Sequence, residues 1–120
     1  MQGEYQVEDE NSFLKDKLLH SLKTMHYFNK LSFFENNPLD SAELIGHTRV
    51  LFITRKRDIQ IQMSMDRLEE GRKSFLLILD TIEKKNPMIQ MIDLSFKDQV
   101  VIKNRFDPSL ILISAKSQTN

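Results

Sequence analysis

Residues 59–65 read Ile-Gln-Ile-Gln-Met-Ser-Met, an unbroken alternation of apolar and polar side chains. Side chains two apart on a strand share a face, so the pattern describes a half-exposed strand. Ile59, Ile61, Met63 and Met65 are its buried set, and Gln60, Gln62 and Ser64 face outward. Just before it, residues 48–54 (TRVLFIT) are β-branched and apolar and read as a second strand. The link Arg55-Lys56-Arg57-Asp58 is too short for a crossover, so the two strands are antiparallel. Just after it, a helix begins near Asp66, with Asp66 and Glu69 spaced as a capping box. Leu68, Phe75, Ile78, Leu79 and Ile82 mark its buried face. Leu76 and Leu77 widen that face, which predicts packing on more than one neighbour. Gly71 lies beside it and costs a helix about 1 kcal/mol relative to Ala, so a close crossing is expected there. Asn86-Pro87 stops the helix.

Further out, residues 88–96 (MIQMIDLSF) read as a strand, with Ile92, Leu94 and Phe96 on one side and Asp93 and Ser95 on the other. Lys97-Asp98 is expected as a two-residue hairpin turn, and residues 99–103 (QVVIK) return as its partner. Towards the N-terminus, Leu14, Leu18, Leu22, Met25 and Phe28 form one helical stripe, with Ser12 as its N-cap. Residues 1–11 show no period and read as a flexible lead-in. Residues 31–35 are short and aromatic and suggest a strand, Asn36-Asn37-Pro38 marks a turn, and residues 39–47 are ambiguous. The organisation predicted is one domain over residues 12–106, with a tail over 107–120 that includes one candidate strand at 110–113. The fold class is α+β: a mostly antiparallel sheet with two main helices packed on one face.

At 120 residues the chain has the length of one domain and can bury roughly 65% of its unfolded surface. Apolar residues are 40% and charged residues 28% of the total, so the composition is that of a globular protein. Lys+Arg and Asp+Glu are each 17, and a net charge of zero gives no support to binding by phosphate neutralisation. With no cysteine, disulfides, zinc–cysteine sites, iron–sulfur clusters and thiol catalysis are excluded, while the compartment stays open. No apolar run approaches the ~20 residues of a membrane helix, and the polar, acidic N-terminus does not read as a signal peptide. Taken as complete, the chain reads as a soluble protein; taken as a piece of a longer one, that inference lapses.

Catalytic chemistry finds no foothold in these residues. His20 and His26 are six apart on a helix and point in different directions, and no His-x-x-x-His or Glu-x-x-His pair exists to hold a metal. Asp16 and His20 are spaced for an exposed ion pair, and no nucleophile stands beside them. Gly3, Gly46 and Gly71 are too scattered for a phosphate-cradling loop. Asp66, Glu69 and Glu70 at a helix start serve capping and dipole compensation. The expectation is therefore a non-enzyme with neither cofactor nor metal. Arg55, Lys56 and Arg57, with Phe33 and Phe34 as stacking platforms, leave a second reading: a small cytoplasmic nucleic-acid-binding or regulatory domain. A third feature is the strand of residues 99–103. As a final strand it would present unpaired N–H and C=O groups to another chain, unless residues 110–113 fold back and cover it.

Residues 49–105 resemble the C-terminal β-domain of the bacterial cell-division protein FtsQ, called DivIB in Gram-positive bacteria. The similar features run in order: the strand RVLFIT, the strand IQIQM, a helix over residues 68–82, then Ile92-Asp93-Leu94-Ser95-Phe96 and Val100-Val101-Ile102. The family string is I-D-L-R-[YF] followed by V-x-V. Ser95 stands where Arg is usual, and Ser64 where Gly is usual. The resemblance implies a non-catalytic protein–protein interaction domain of the divisome, lying on the extracytoplasmic (periplasmic) side of the membrane and acting in septum formation. The membrane anchor and POTRA domain of that family have no counterpart in these residues. The implied partners are the small coiled-coil proteins FtsB and FtsL, with a segment of FtsB adding to the edge of the terminal strand. Carried across by position, the partner-binding residues are Phe96, Asp98, Val100, Val101, Ile102, Lys103 and Asn104. The resemblance implies no small-molecule substrate and no nucleic acid.

Overall fold

Among the described residues, six strands form one sheet in the order in which the chain makes them, β1 to β6. The computed structural model describes residues 2–85, 88–106 and 110–114. Its elements are α1 (Gln2–Phe28), a 3₁₀ turn (Ser32–Phe34), β1 (Leu39–Ile45), β2 (Arg49–Thr54) and β3 (Gln60–Ser64). A second 3₁₀ turn (Met65–Arg67) leads into α2 (Leu68–Lys85), followed by β4 (Ile89–Asp93), β5 (Gln99–Asn104) and β6 (Leu110–Ser114). Neighbouring strands are antiparallel except β3 and β4, which are parallel. That exception follows from α2: a helix between two strands carries the chain back to the end from which it started. The fold is α+β with a mostly antiparallel sheet, as the patterning predicts.

Strand pairing sorts the side chains into two faces. Val50 and Phe52 on β2 oppose Met63 and Ile61 on β3; Ile61 aligns with Ile92 on β4, and Ile92 with Ile102 on β5. This row is fully buried and meets the helices. Gln60, Gln62, Met91, Asp93, Val101 and Lys103 alternate with it and lie on the opposite, open face. The core is aromatic on the β1–β3 side. Phe28 of α1 makes edge contacts with Phe34, Phe52 and Phe75 at centroid distances of 6.0, 6.4 and 5.0 Å. Each such pair contributes about 0.5–1.5 kcal/mol beyond its buried area.

Gly71 sits where α2 crosses β3. A Cβ there would lie 2.5 Å from Met63 Cε and 3.5 Å from Leu94 Cβ. The glycine lets the helix approach a fully buried Met63, so the expected close crossing is present.

Several local expectations are corrected. Residues 31–35 form the Ser32–Phe34 3₁₀ turn rather than a strand, because Phe33 and Phe34 reach the same aromatic cluster from one turn. The ambiguous residues 39–47 supply β1. The lead-in is helical from Gln2 rather than flexible. Gln2, Glu4, Gln6, Glu8 and Glu10 are good helix formers, but they carry no apolar period, and only a period reveals a helix to pattern reading. In α1, Leu22 is exposed, and Ser21 and Thr24 are buried in its place. Their hydroxyls donate to the carbonyls of Lys17 and His20, each at 3.0 Å, which makes their burial inexpensive. Asp66 lies inside the second 3₁₀ turn rather than at the expected N-cap of α2, and its carboxylate accepts from the Lys17 ammonium at 2.9 Å, tying α1 to the start of α2. The helix stop expected at Asn86-Pro87 lies outside the described residues.

Candidate interaction edge

The strand of residues 88–96 ends at Asp93, earlier than its alternation suggests. The Asp93 carboxylate accepts the Ser95 N–H at 2.9 Å and the Ser95 hydroxyl at 2.5 Å. This side-chain turn takes the backbone out of the ladder. The connection to β5 is therefore residues 94–98, longer than the two-residue turn expected. Asp98 holds a left-handed φ of 59° at its end, and Arg67 donates to the Ser95 carbonyl from below. Phe96 is 46% exposed and lines a groove of about 330 Å³ with Leu77, Gly71, Leu94 and Lys97. Leu77 remains exposed, so the second packing neighbour expected for α2 is absent at that position among the described residues.

The residues carried across as partner-binding fall into separate places. Phe96 and Asp98 line the groove against α2. Val100 and Ile102 are fully buried beneath the helices. Val101 and Lys103 lie on the open face, and Asn104 pairs across β4 with Ile89. Their backbone is occupied as well. β5 pairs with β4 on one side and with β6 on the other, in the register Val101 to Leu112 and Lys103 to Leu110. The edge expected at β5 is thus corrected: residues 110–113 do fold back, because the apolar Ile111 and Ile113 gain burial beside Ile102 and Val100.

The correction moves the edge outward by one strand. Among the described residues, β6 has one strand neighbour, β5, and its other side is unpaired. Its sequence, Leu-Ile-Leu-Ile-Ser, carries no charge. Leu110 and Leu112 are 56% and 61% exposed on the open face, next to the half-buried Val101 of β5 and in line with Met91 of β4. An unpaired row of N–H and C=O groups flanked by large apolar side chains is a template for strand addition. Sequence reasoning missed Leu110, Leu112 and Ser114 as site residues. The signal available was an uncharged run of four branched residues in the last strand.

Of the other residue groups singled out by sequence, Lys56 lines a cavity of about 350 Å³ with Phe33, Phe34 and Asp58, and the histidines are dispersed. His20, His26 and His47 are exposed and apart. Among the described residues, no group of three His, Asp or Glu side chains is arranged to hold a metal ion. Arg55, Lys56 and Arg57 make the β2–β3 turn, where the Lys56 N–H donates to Asn37 at 2.9 Å and Arg55 lies 3.9 Å from Asp40. Asp58 closes that turn. Burial would raise its carboxyl, but hydrogen bonds from Asn37 and Thr54, its own backbone N–H and the nearby Arg105 charge outweigh burial. Together they hold its pKa below the ordinary 3.8. No helix of the described residues is long and apolar enough to cross a membrane. No family model matches the chain, and no curated protein matches it.

Proposed function

We propose that this chain is a non-catalytic protein–protein interaction domain of the FtsQ/DivIB cell-division kind, and that it takes a strand from an FtsB- or FtsL-like partner. In this reading it works on the extracytoplasmic face of the bacterial cytoplasmic membrane. The observation that carries it is β6: an uncharged terminal strand whose outer side is unpaired among the described residues and whose open-face side chains are exposed. The element order β-β-α-β-β and the Ile92-Asp93-Leu94-Ser95-Phe96 string support the family reading. The capture site proposed is β6 rather than β5. Val101 and Lys103 serve it as flanking open-face residues, and Phe96 and Asp98 line a separate groove.

Main-chain hydrogen bonds supply much of the affinity of strand addition, and alternate side chains supply its selectivity. A partner strand beside β6 meets Leu110 and Leu112 on one face and Ile111 and Ile113 on the other. Its own alternate residues must therefore be apolar on both faces. The test is a calorimetric titration with the extracytoplasmic segment of an FtsB-like protein from the same genome. Saturable binding is expected, weakened about tenfold or more by Leu112→Lys, an exposed site where stability should change by less than about 0.5 kcal/mol. Absence of binding at high micromolar concentration rejects this partner class.

A further inference from the structure

Two chemical features of β6 bear on what pairs with it when no partner is present. The strand has no charged residue, and its sequence is close to palindromic in character: Leu110, Ile111, Leu112, Ile113, Ser114. Antiparallel pairing of two copies about Leu112 sets Leu112 against itself, Ile111 against Ile113 twice, and Leu110 against Ser114 twice. No like charges meet in this register, and the rotation that relates the copies is perpendicular to the sheet. Each face of one sheet therefore continues into the same face of the other: the exposed Leu110 and Leu112 join their counterparts on the open side, and Ile111 and Ile113 extend the buried row.

We infer that a second copy of this chain pairs with the β6 edge when no partner strand holds it, joining two six-stranded sheets into one of twelve. The arrangement is a closed, self-complementary two-fold contact. It is also small. One strand pair of five residues falls short of the ~1,200 Å² at which stable interfaces begin, so the dimer forms only at high concentration, on the order of tens of micromolar. The other sheet edge cannot substitute: β1 carries Asp40 and Glu43 and a register shift between Leu39 and Ser41. Self-pairing and capture of a foreign strand use the same hydrogen-bonding groups and exclude one another. Self-pairing is measured on this chain alone, so its failure is distinct from failure of the partner reading.

The absence of cysteine supplies a clean probe. Directly opposed residues on antiparallel strands lie within disulfide reach, and residues four positions out of register do not. Under mild oxidation, Leu112→Cys should cross-link to itself about tenfold faster than Leu110→Cys. A mixture of Leu110→Cys and Ser114→Cys should cross-link readily between chains. Sedimentation velocity should show the unmodified chain passing from monomer to dimer over roughly 5–200 µM. Leu112→Lys, which sets two ammonium groups against each other on the axis, should remain monomeric, and so should Leu112→Glu. Mixing the two should restore the dimer, a result that misfolding of either variant cannot produce. A monomer at all concentrations overturns the inference, as does Leu112→Cys cross-linking no faster than Leu110→Cys.

Discussion

The two edges of the sheet are built to opposite specifications. β1 is held at many points. The Asn29 amide donates to the Leu39 carbonyl and accepts its N–H, both at 2.8 Å, and so fastens the end of α1 to the start of the strand. The Arg55 N–H donates to the Pro38 carbonyl at 2.7 Å, and Asn37 donates to Asp58 at 2.8 Å. Asp40 and Glu43 place charge along the strand, and a bulge interrupts its first pairs. The charges, the bulge and the Asn29 side chain seated on the Leu39 backbone are devices that stop an edge from recruiting another chain. Among the described residues β6 has none of them: it lacks charge, its register with β5 is regular, and its two leucines stand exposed. The difference teaches that the open β6 edge is not a general feature of this sheet. Among the described residues, the same fold protects one edge and leaves the other unpaired.

The strongest way to break the contrast is to unfasten β1. Asn29→Ala leaves both backbone groups of the buried Leu39 without their partner and should cost about 2–3 kcal/mol in denaturant unfolding. Comparable truncation at Leu112 should cost far less, because that side chain is mostly in water. A cost for Asn29→Ala within experimental error would mean that β1 is not held by this contact.

The next effect comes from Asp58, which anchors the turn leading β1 into the sheet. Its folded pKa lies below the ordinary 3.8. Its contribution is therefore fully present above that pH and is lost as pH falls through the lower folded value. Asp58→Ala should cost about 1–2 kcal/mol at neutral pH through the orphaned Asn37 and Thr54 donors. Stability measured between pH 5 and 2, a window bracketing carboxylate titration, should then fall less steeply for the variant than for the unmodified chain. An equally steep fall would assign the acid sensitivity to other carboxylates.

The smallest effect on stability, and the sharpest on association, should come from removing the charges of β1. Asp40→Val with Glu43→Val alters exposed positions and should change stability by no more than about 0.5 kcal/mol. It should add a second self-association edge, seen as species larger than dimers by light scattering. If assembly does not change, the bulge and the hydrogen bonds protect β1 without help from charge.

Much of this molecule is legible in its residues. The alternation over 59–65 gives β3, the apolar run over 49–54 gives β2, and the spacing of Phe75, Ile78 and Ile82 gives the buried face of α2. Those signals are legible because burial on one face imposes a period on the chain. β1 and the first turns of α1 were opaque for the complementary reason. Polar residues dominate the first turns of α1, and β1 mixes four apolar with three polar residues without alternation, so neither shows an apolar stripe. The candidate edge was half legible. The last strands carry the right composition, but whether β5 or β6 is outermost depends on whether Ile111 and Ile113 gain more by docking beside Val100 and Ile102 than residues 110–114 lose in conformational freedom.

The sequence by itself determined the fold class, because strands and helices with one buried face are written in local periods. Only the tertiary structure decided which strand is outermost among the described residues and that β3 and β4 run parallel. Those outcomes are set by contacts between residues far apart in the chain, whose free energies no local pattern records.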